Sequence, residues 1–181
     1  MTPRLFSFLS VSLSVALCPG CKGDDDDNAG TGENAPATNS SCTVTLSGAV
    51  ERTDSCSAGW LQSSQLSDPN PYLGIAELDG SSGFDLFDQA PKVGTWSSGG
   101  SSKVSALAVD KLGVGQHNWH LYENNSGIEN AGTYSVTVTG VSEVGNSNGF
   151  HLWNVDGTID ATLAPDDSSG ASGEVQMHIE F

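Results

Sequence analysis

This chain contains four histidines, which are candidate metal ligands or acid–base groups because imidazole binds metals and exchanges protons near neutral pH. They are His117, His120, His151 and His178. The first two are three residues apart, which would place them on one face of a helix, but the H-E-x-x-H spacing of a zinc site is absent. In a strand, residues three apart point to opposite faces. We therefore expect solvated histidines and no metal site.

Oxygen ligands for Ca²⁺ are offered by Asp79-Gly80 together with Asp85 and Asp88. The loop pattern D-x-[DN]-x-[DN]-G is missing, and Asp-Gly is first of all a turn signal. For the same reason Asp156-Gly157 is interpreted as a hairpin turn. The many serines include no G-x-S-x-G nucleophile elbow. We expect no catalytic residue and no cofactor.

Aromatic residues form the one candidate binding set. On a sheet face they could stack against sugar rings, and the alternative is that the tryptophans fill the core. Phe150 and Leu152 alternate with His151 and Trp153, so both faces of that segment carry large side chains. Two or more exposed tryptophans on one concave face would favour sugar binding. The set consists of Trp60, Trp96, Trp119 and Trp153, with Tyr72 and Tyr122.

An export signal is predicted at the start of the chain. Arg4 precedes an apolar run, Leu5–Leu17, that is interrupted only by serines. A membrane-spanning helix needs roughly 20 apolar residues, whereas a secretory signal uses about 7–15. The following Gly20-Cys21 resembles the end of a bacterial lipoprotein signal, which implies cleavage before Cys21 and acylation of Cys21. Cys18 is the rival acceptor, and a plain secretory peptide is the alternative.

The remaining cysteines, Cys42 and Cys56, are predicted to form a disulfide, because an even pair in an exported domain indicates one. The closed loop of about 15 residues would contribute roughly 3 kcal/mol in the chain-entropy model. A metal-ligand pair is the competing interpretation, but no C-x-x-C or C…H spacing stands near either residue. Cys18-Pro19-Gly20-Cys21 has the C-x-x-C spacing of a redox motif, without the βαβ setting that such a motif requires.

Charge and composition separate the signal from the domain. Residues 22–41 contain four consecutive aspartates and no large apolar side chain, which predicts a solvated tether. The whole chain has 6 Lys+Arg against 22 Asp+Glu, a formal net charge of −16. Nucleic acid and anionic lipid are therefore poor partners, because both are bound by clustered Lys and Arg. Lys22 directly after the cysteine implies, by resemblance to lipoprotein sorting, the outer membrane, on its periplasmic face or at the cell surface.

Two-residue periodicity runs through residues 42–181. Val175, Met177, Ile179 and Phe181 alternate with polar residues, which predicts a strand with one buried face. The same pattern occurs at 44–46, 134–138 and 159–163, and shorter apolar segments lie at 60–66, 72–78, 84–87, 104–109, 118–122 and 150–155. A bulge is expected at Thr139-Gly140, where the alternation shifts. No window has the period of a long helix.

The segments CTVTLSGAV, GTYSVTVTGVS, DGTIDATLAP and SGEVQMHIEF resemble predicted small β-sandwich lipoproteins of Gram-negative bacteria, a group without a known activity. We expect a signal peptide (1–20), an acidic tether (21–41) and one antiparallel β sandwich (42–181), with a β barrel as the alternative. The expected function is a non-enzymatic, lipid-anchored envelope protein with a structural or interaction role. The alternatives are a carbohydrate-binding or adhesion module, and secretion in place of anchoring.

Overall fold

The computed structural model of the protein describes residues 42–63, 70–77, 80–110, 116–123, 132–147 and 149–181. The predicted signal peptide and tether, with Cys18 and Cys21, lie outside the described residues, as does Asp79. In the part of the chain that the structure describes, no helix is long and apolar enough to cross a membrane.

Ten strands and one 3₁₀ turn, Asp167–Ser169, lie within these ranges. Every strand pair is antiparallel. The strands are β1 (Cys42–Gly48), β2 (Arg52–Ser63), β3 (Tyr72–Glu77), β4 (Ser82–Phe87), β5 (Gly94–Ser97), β6 (Lys103–Asp110), β7 (His117–Glu123), β8 (Thr133–Ser147), β9 (Phe150–Pro165) and β10 (Val175–Glu180).

The strands are hydrogen-bonded in the order β10-β1-β2-β3-β4-β6-β7-β9-β8-β5, and β9 also pairs with β10 and β2. The sheet therefore closes on itself through β9. Aromatic rings from different strands pack against each other in the core. The ring centroids of Trp60 (β2) and Trp96 (β5) are 5.8 Å apart, and those of Phe84 (β4) and Tyr134 (β8) are 6.0 Å apart. The fold is an all-β sandwich whose strands form a ring, so the predicted fold class is confirmed.

Alternating side chains build the core as the sequence predicts. Val44 and Leu46 of β1 are buried, and so are Val175, Met177 and Ile179 of β10. β10 lies between β1 and β9 and pairs with both along its length. The predicted inward face of the last strand is therefore confirmed, and it supplies the centre of one layer.

The interpretation of Asp156-Gly157 as a hairpin turn is wrong, because β9 passes through both residues without a break. Gly157 exchanges two backbone hydrogen bonds with Phe181, at 2.6 and 3.0 Å. A side chain at Gly157 would collide with the carbonyl oxygen of Thr137. The glycine thus permits close approach of backbones. The expected bulge is confirmed as a register shift between Val138 and Gly140.

A buried ionic cluster ties β2 to the ends of three segments. The Arg52 guanidinium donates to the carbonyl oxygen of Val109 at 2.7 Å and to Glu77 Oε2 at 2.8 Å. It also donates to the hydroxyl of Ser81 at 2.9 Å, and that hydroxyl donates to Glu77. The Glu77 side chain is 1% exposed. Arg52 is therefore the counterion that makes the burial of this carboxylate tolerable.

The predicted disulfide is confirmed. Cys42 and Cys56 are register partners in the β1–β2 pair, with Cα atoms 4.8 Å apart and their sulfurs bonded. Both residues are buried at the edge of the core. The bond fixes the first residue of β1 to β2.

Reduction of this disulfide is expected to lower the melting temperature. A loss of about 3 kcal/mol corresponds to roughly 6–12 °C for a domain of this size. Thermal unfolding followed by circular dichroism, with and without reductant, measures the change. The double variant Cys42→Ser/Cys56→Ser is the control and should not respond to reductant. Equal melting temperatures of the oxidised and reduced protein would contradict the structural role.

Candidate functional site

Trp60 and Trp119 are core residues, 0% and 2% exposed. Their indole N–H groups donate to the carbonyl oxygens of Gln89 at 2.8 Å and Gly173 at 3.0 Å. Neither ring can stack against a ligand from outside. For these two residues the expected stacking role is wrong, because the large apolar ring gains more from burial once its N–H finds a partner.

Trp96 and Trp153 are half-buried and pack against the core. Trp96 donates to Gln89 Oε1 at 3.0 Å, and its ring contacts Trp60. Trp153 is covered on one side by His151, whose ring lies 4.0 Å away and nearly parallel. The His151 ring is also held by Glu143 at 2.6 Å. Protein groups therefore occupy much of both rings, and the tryptophans form no shared platform.

The two outer faces of the sandwich have different chemistry. Across β1, β10, β9 and β8, the outward residues Thr45, His178, Asp160 and Ser135 stand in one register row. With neighbouring serines and threonines they line a shallow cavity of about 300 Å³. We call this surface the hydroxyl face. The side chains of its outward register row are polar, as expected for a solvated sheet surface.

The outer face of β3, β4, β6 and β7 carries aromatic rings instead. The burial alternation of β3 and β4 sends Leu73 and Leu86 inward and turns Tyr72, Asp85 and Phe87 outward. In β7, Trp119 and Leu121 point inward, so His120 and Tyr122 also lie outside. We call the surface formed by Tyr72, Gly74, Asp85, Phe87, Ser105, His120 and Tyr122 the aromatic face.

Four residues of this surface stand in one row across the four strands. Gly74 pairs with Asp85, Asp85 with Ser105, and Ser105 with Tyr122. Two strand spacings, about 9.6 Å, therefore separate Asp85 from Tyr122 along the row.

The rings are arranged as two stacked pairs. Tyr72 and Phe87 lie with centroids 5.8 Å apart and planes inclined by 28°. His120 and Tyr122 lie 5.4 Å apart at 24°, and the Tyr122 hydroxyl is 3.2 Å from His120 Nδ1. All four side chains are half-buried. Their rings are thus held in place while part of each remains accessible, which is the arrangement of an aromatic binding surface.

The Asp85 carboxylate meets the Tyr72 ring above Gly74. A Cβ placed on Gly74 would lie 3.0 Å from Tyr72 Cε2 and 3.3 Å from Asp85 Oδ1. Among the described residues, no donor or cation is bonded to this carboxylate. Burial raises the pKa of Asp85 to about 7. Burial and then the charge of Asp85 raise the pKa of Tyr72.

Lys103 stands at the margin of the aromatic face but is directed to a different carboxylate. Its Nζ lies 2.8 Å from Asp88, which also accepts a bond from Asn70 at 3.0 Å. Asp88 itself has a left-handed backbone, with φ of 59°. The hydrogen bond from Lys103 is the largest cause of the lowered pKa of Asp88. Asp85 is therefore left without this counterion.

Asp85→Asn is expected to stabilise the protein at pH 8. The folded-state pKa of about 7 lies above the ordinary 3.8, so the native state binds more protons and stability falls as the pH rises from 4 to 7. The ionised carboxylate costs at most about 4 kcal/mol at pH 8. Urea unfolding at pH 4.5 and pH 8 measures the effect. The gain in the free energy of unfolding should be large at pH 8 and small at pH 4.5. An equal gain at both pH values would contradict the raised pKa of Asp85.

The other predicted ligands do not converge. The His178 side chain lies 2.7 Å from Asp160 and 3.4 Å from Glu180 on the hydroxyl face. The hydrogen bond with Asp160 is the largest cause of the raised pKa of His178. His117 lies 6.4 Å from the Trp119 ring. Over the ranges listed above for the structure, no three His, Cys, Asp or Glu side chains form a group that could hold a metal.

The sequence offers Tyr72 and Tyr122 only as companions of the tryptophans and Asp85 only as a candidate Ca²⁺ ligand, and it gives no role to Phe87 or Gly74. A signal was present in the alternation. In YLGIAE, GFDLF and HNWHLYE the positions out of phase with the core hold aromatic rings, where a solvated sheet carries small polar residues.

No family model matches this chain, and no match is found among the curated proteins or the solved structures compared.

Proposed function

We propose that this domain is a non-enzymatic carbohydrate-binding module and that its ligand stacks on the aromatic face. The observation that carries the proposal is the presence of two ring stacks and an unpartnered carboxylate on one outer face of the sheet.

Aromatic rings and a few oriented polar groups are the two requirements for binding a sugar. The rings cover the apolar C–H faces of the sugar, and polar groups accept its hydroxyls. On the aromatic face the rings come from β3, β4 and β7, while Asp85 and Ser105 supply oxygen atoms between them. Because rigid strands hold all these groups, little ordering free energy is lost on binding.

The carboxylates near the aromatic face are bonded to protein groups, which favours ligand binding over catalysis as the role of this surface. Glycoside hydrolysis uses two carboxyl groups that flank the scissile bond. Near the aromatic face, Asp88 is occupied by Lys103 and Asn70. Asp166 accepts from Ser168 and lies 3.5 Å from His120 Nε2. Both carboxylates are thus engaged by protein groups, and Asp85 is the one that we assign to ligand recognition.

Binding of neutral oligosaccharides to the full chain tests the proposal. Tyr72→Ala and Tyr122→Ala each remove a stacking ring and should weaken binding about tenfold or more. Thr137→Ala, on the β8 strand and away from the aromatic face, is the matched control. Isothermal titration calorimetry gives the dissociation constants. Unchanged binding by both tyrosine variants would contradict the proposal.

The envelope location remains a proposal based on the sequence: Cys21 carries the lipid that anchors the protein to the outer membrane. A structural role toward another envelope protein is the second candidate, and the polar hydroxyl face with its shallow cavity favours it. Cross-linking to an envelope protein through the hydroxyl face, with no glycan bound, would support this second role.

Cys21→Ser is expected to release the protein from membranes. One acyl chain gives only marginal binding, so a stable anchor uses more than one chain, as lipoproteins provide. Fractionation and fatty-acid labelling of cells measure the result, with Cys18→Ser as the control that should stay anchored. A Cys21→Ser protein that remains membrane-bound and labelled would place the acceptor elsewhere, with Cys18 tested first.

A further inference from the structure

We propose that the aromatic face selects a sugar that carries a protonated amine, so that the ligand amine pairs with the Asp85 carboxylate beside the Tyr72 ring. This inference rests on the proposed carbohydrate function and names the class of sugar.

Asp85 is a half-buried carboxylate. Its removal from water, even in part, is unfavourable unless it is paired or hydrogen-bonded. Within the described residues neither kind of partner is bonded to Asp85, and the nearby Lys103 is held by Asp88. The contrast with Glu77, which is buried against Arg52, shows that this fold does supply a counterion elsewhere. A ligand cation would fill the same role at Asp85.

Aromatic rings surround Asp85 on the outer face of the sheet. A cation over the face of an aromatic ring is attracted by the ring electrons, and the attraction increases where water is excluded. The Tyr72 ring and Asp85 Oδ1 both lie just above Gly74. An amine bound to Asp85 would therefore lie beside the Tyr72–Phe87 stack. A carboxylate and aromatic rings together favour a cationic group over a neutral one.

The second ring stack favours a sugar amine over the amine of a peptide. A lysine side chain could satisfy Asp85 and the first ring pair, but it carries no ring to cover a second stack. Tyr122, stacked on His120, lies two strand spacings further along the same row. An oligomer of amino sugars would place one residue on each stack. The net charge of −16 also draws a cationic polymer toward the protein.

The experiment compares matched oligosaccharides on the full chain. A glucosamine tetramer carries free amines, and the N-acetylglucosamine tetramer has the same rings without the charge. The amine form should bind about tenfold more tightly at neutral pH, as expected for one desolvated cation contact. Asp85→Asn should remove this preference. Asp160→Asn, which removes one charge from the hydroxyl face, is the control and should retain it.

The affinities for the two tetramers distinguish the amine inference from the carbohydrate function. Equal affinity for the two tetramers would overturn the amine inference and leave the carbohydrate function standing, whereas binding of neither would overturn both. A preference that survives in Asp85→Asn would assign the amine to another group and contradict the inference. A tetralysine peptide that binds as tightly as the glucosamine tetramer would overturn the assignment to sugars.

Discussion

Deletion of Gln176–Phe181 is expected to unfold the domain. The segment forms most of β10, and its inward residues Met177, Ile179 and Phe181 are 1%, 0% and 8% exposed. Removing one large core side chain costs roughly 2–5 kcal/mol, and a whole domain is stable by only about 5–15 kcal/mol. The deletion also leaves the facing edges of β1 and β9 without partners.

The matched control deletes residues 23–39, which the sequence predicts to be a tether. This variant should melt within a few degrees of the full chain. Thermal unfolding by circular dichroism compares the two truncations. A cooperative transition at the same temperature for both would show that β10 contributes nothing to the core, against its burial in the structure.

Arg52→Met is expected to destabilise the protein by roughly 3–5 kcal/mol. Methionine keeps the apolar stem of the side chain but removes the guanidinium that bonds Glu77 and Val109. The Glu77 carboxylate, with a side chain 1% exposed, would then be buried beside Ser81 alone. Urea unfolding monitored by tryptophan fluorescence measures the free energy of unfolding.

A second substitution distinguishes the loss of the charge from a failure to pack. Arg52→Met/Glu77→Leu removes both charges and should recover much of the stability, because an apolar pair replaces an ion pair at little cost. Lys103→Met breaks the more exposed pair with Asp88 and should cost at most about 1 kcal/mol. If Arg52→Met and Lys103→Met had equal effects, the buried cluster would have no special role.

The strands that could be predicted are those whose alternation is complete over several residues. β10 and the second half of β9 are confirmed because apolar and polar residues exchange without a break. β5 was missed because GTWS is four residues long and carries no alternation. The hairpin turn predicted at Asp156-Gly157 was wrong because glycine occurs both in turns and inside strands where another backbone approaches closely. The sequence alone does not distinguish these two situations.

The alternation marks single outward rings, but the sequence could not bring them together as one site because their grouping depends on register. Gly74, Asp85, Ser105 and Tyr122 come from four strands that span nearly fifty positions of the chain, and only the pairing places them in one row. Residue type also misled, since tryptophan is prominent in sugar sites and equally common inside proteins. Trp60 and Trp119 point inward, whereas the tyrosines named beside them point outward.

Amide chemical-shift changes map ligand contacts residue by residue, and they test the proposal that the aromatic face is the ligand-binding surface. On titration with the glucosamine tetramer, the largest changes should fall on Tyr72, Gly74, Asp85 and Tyr122. Changes concentrated instead around Trp96 and Trp153, or no changes at millimolar ligand, would contradict it.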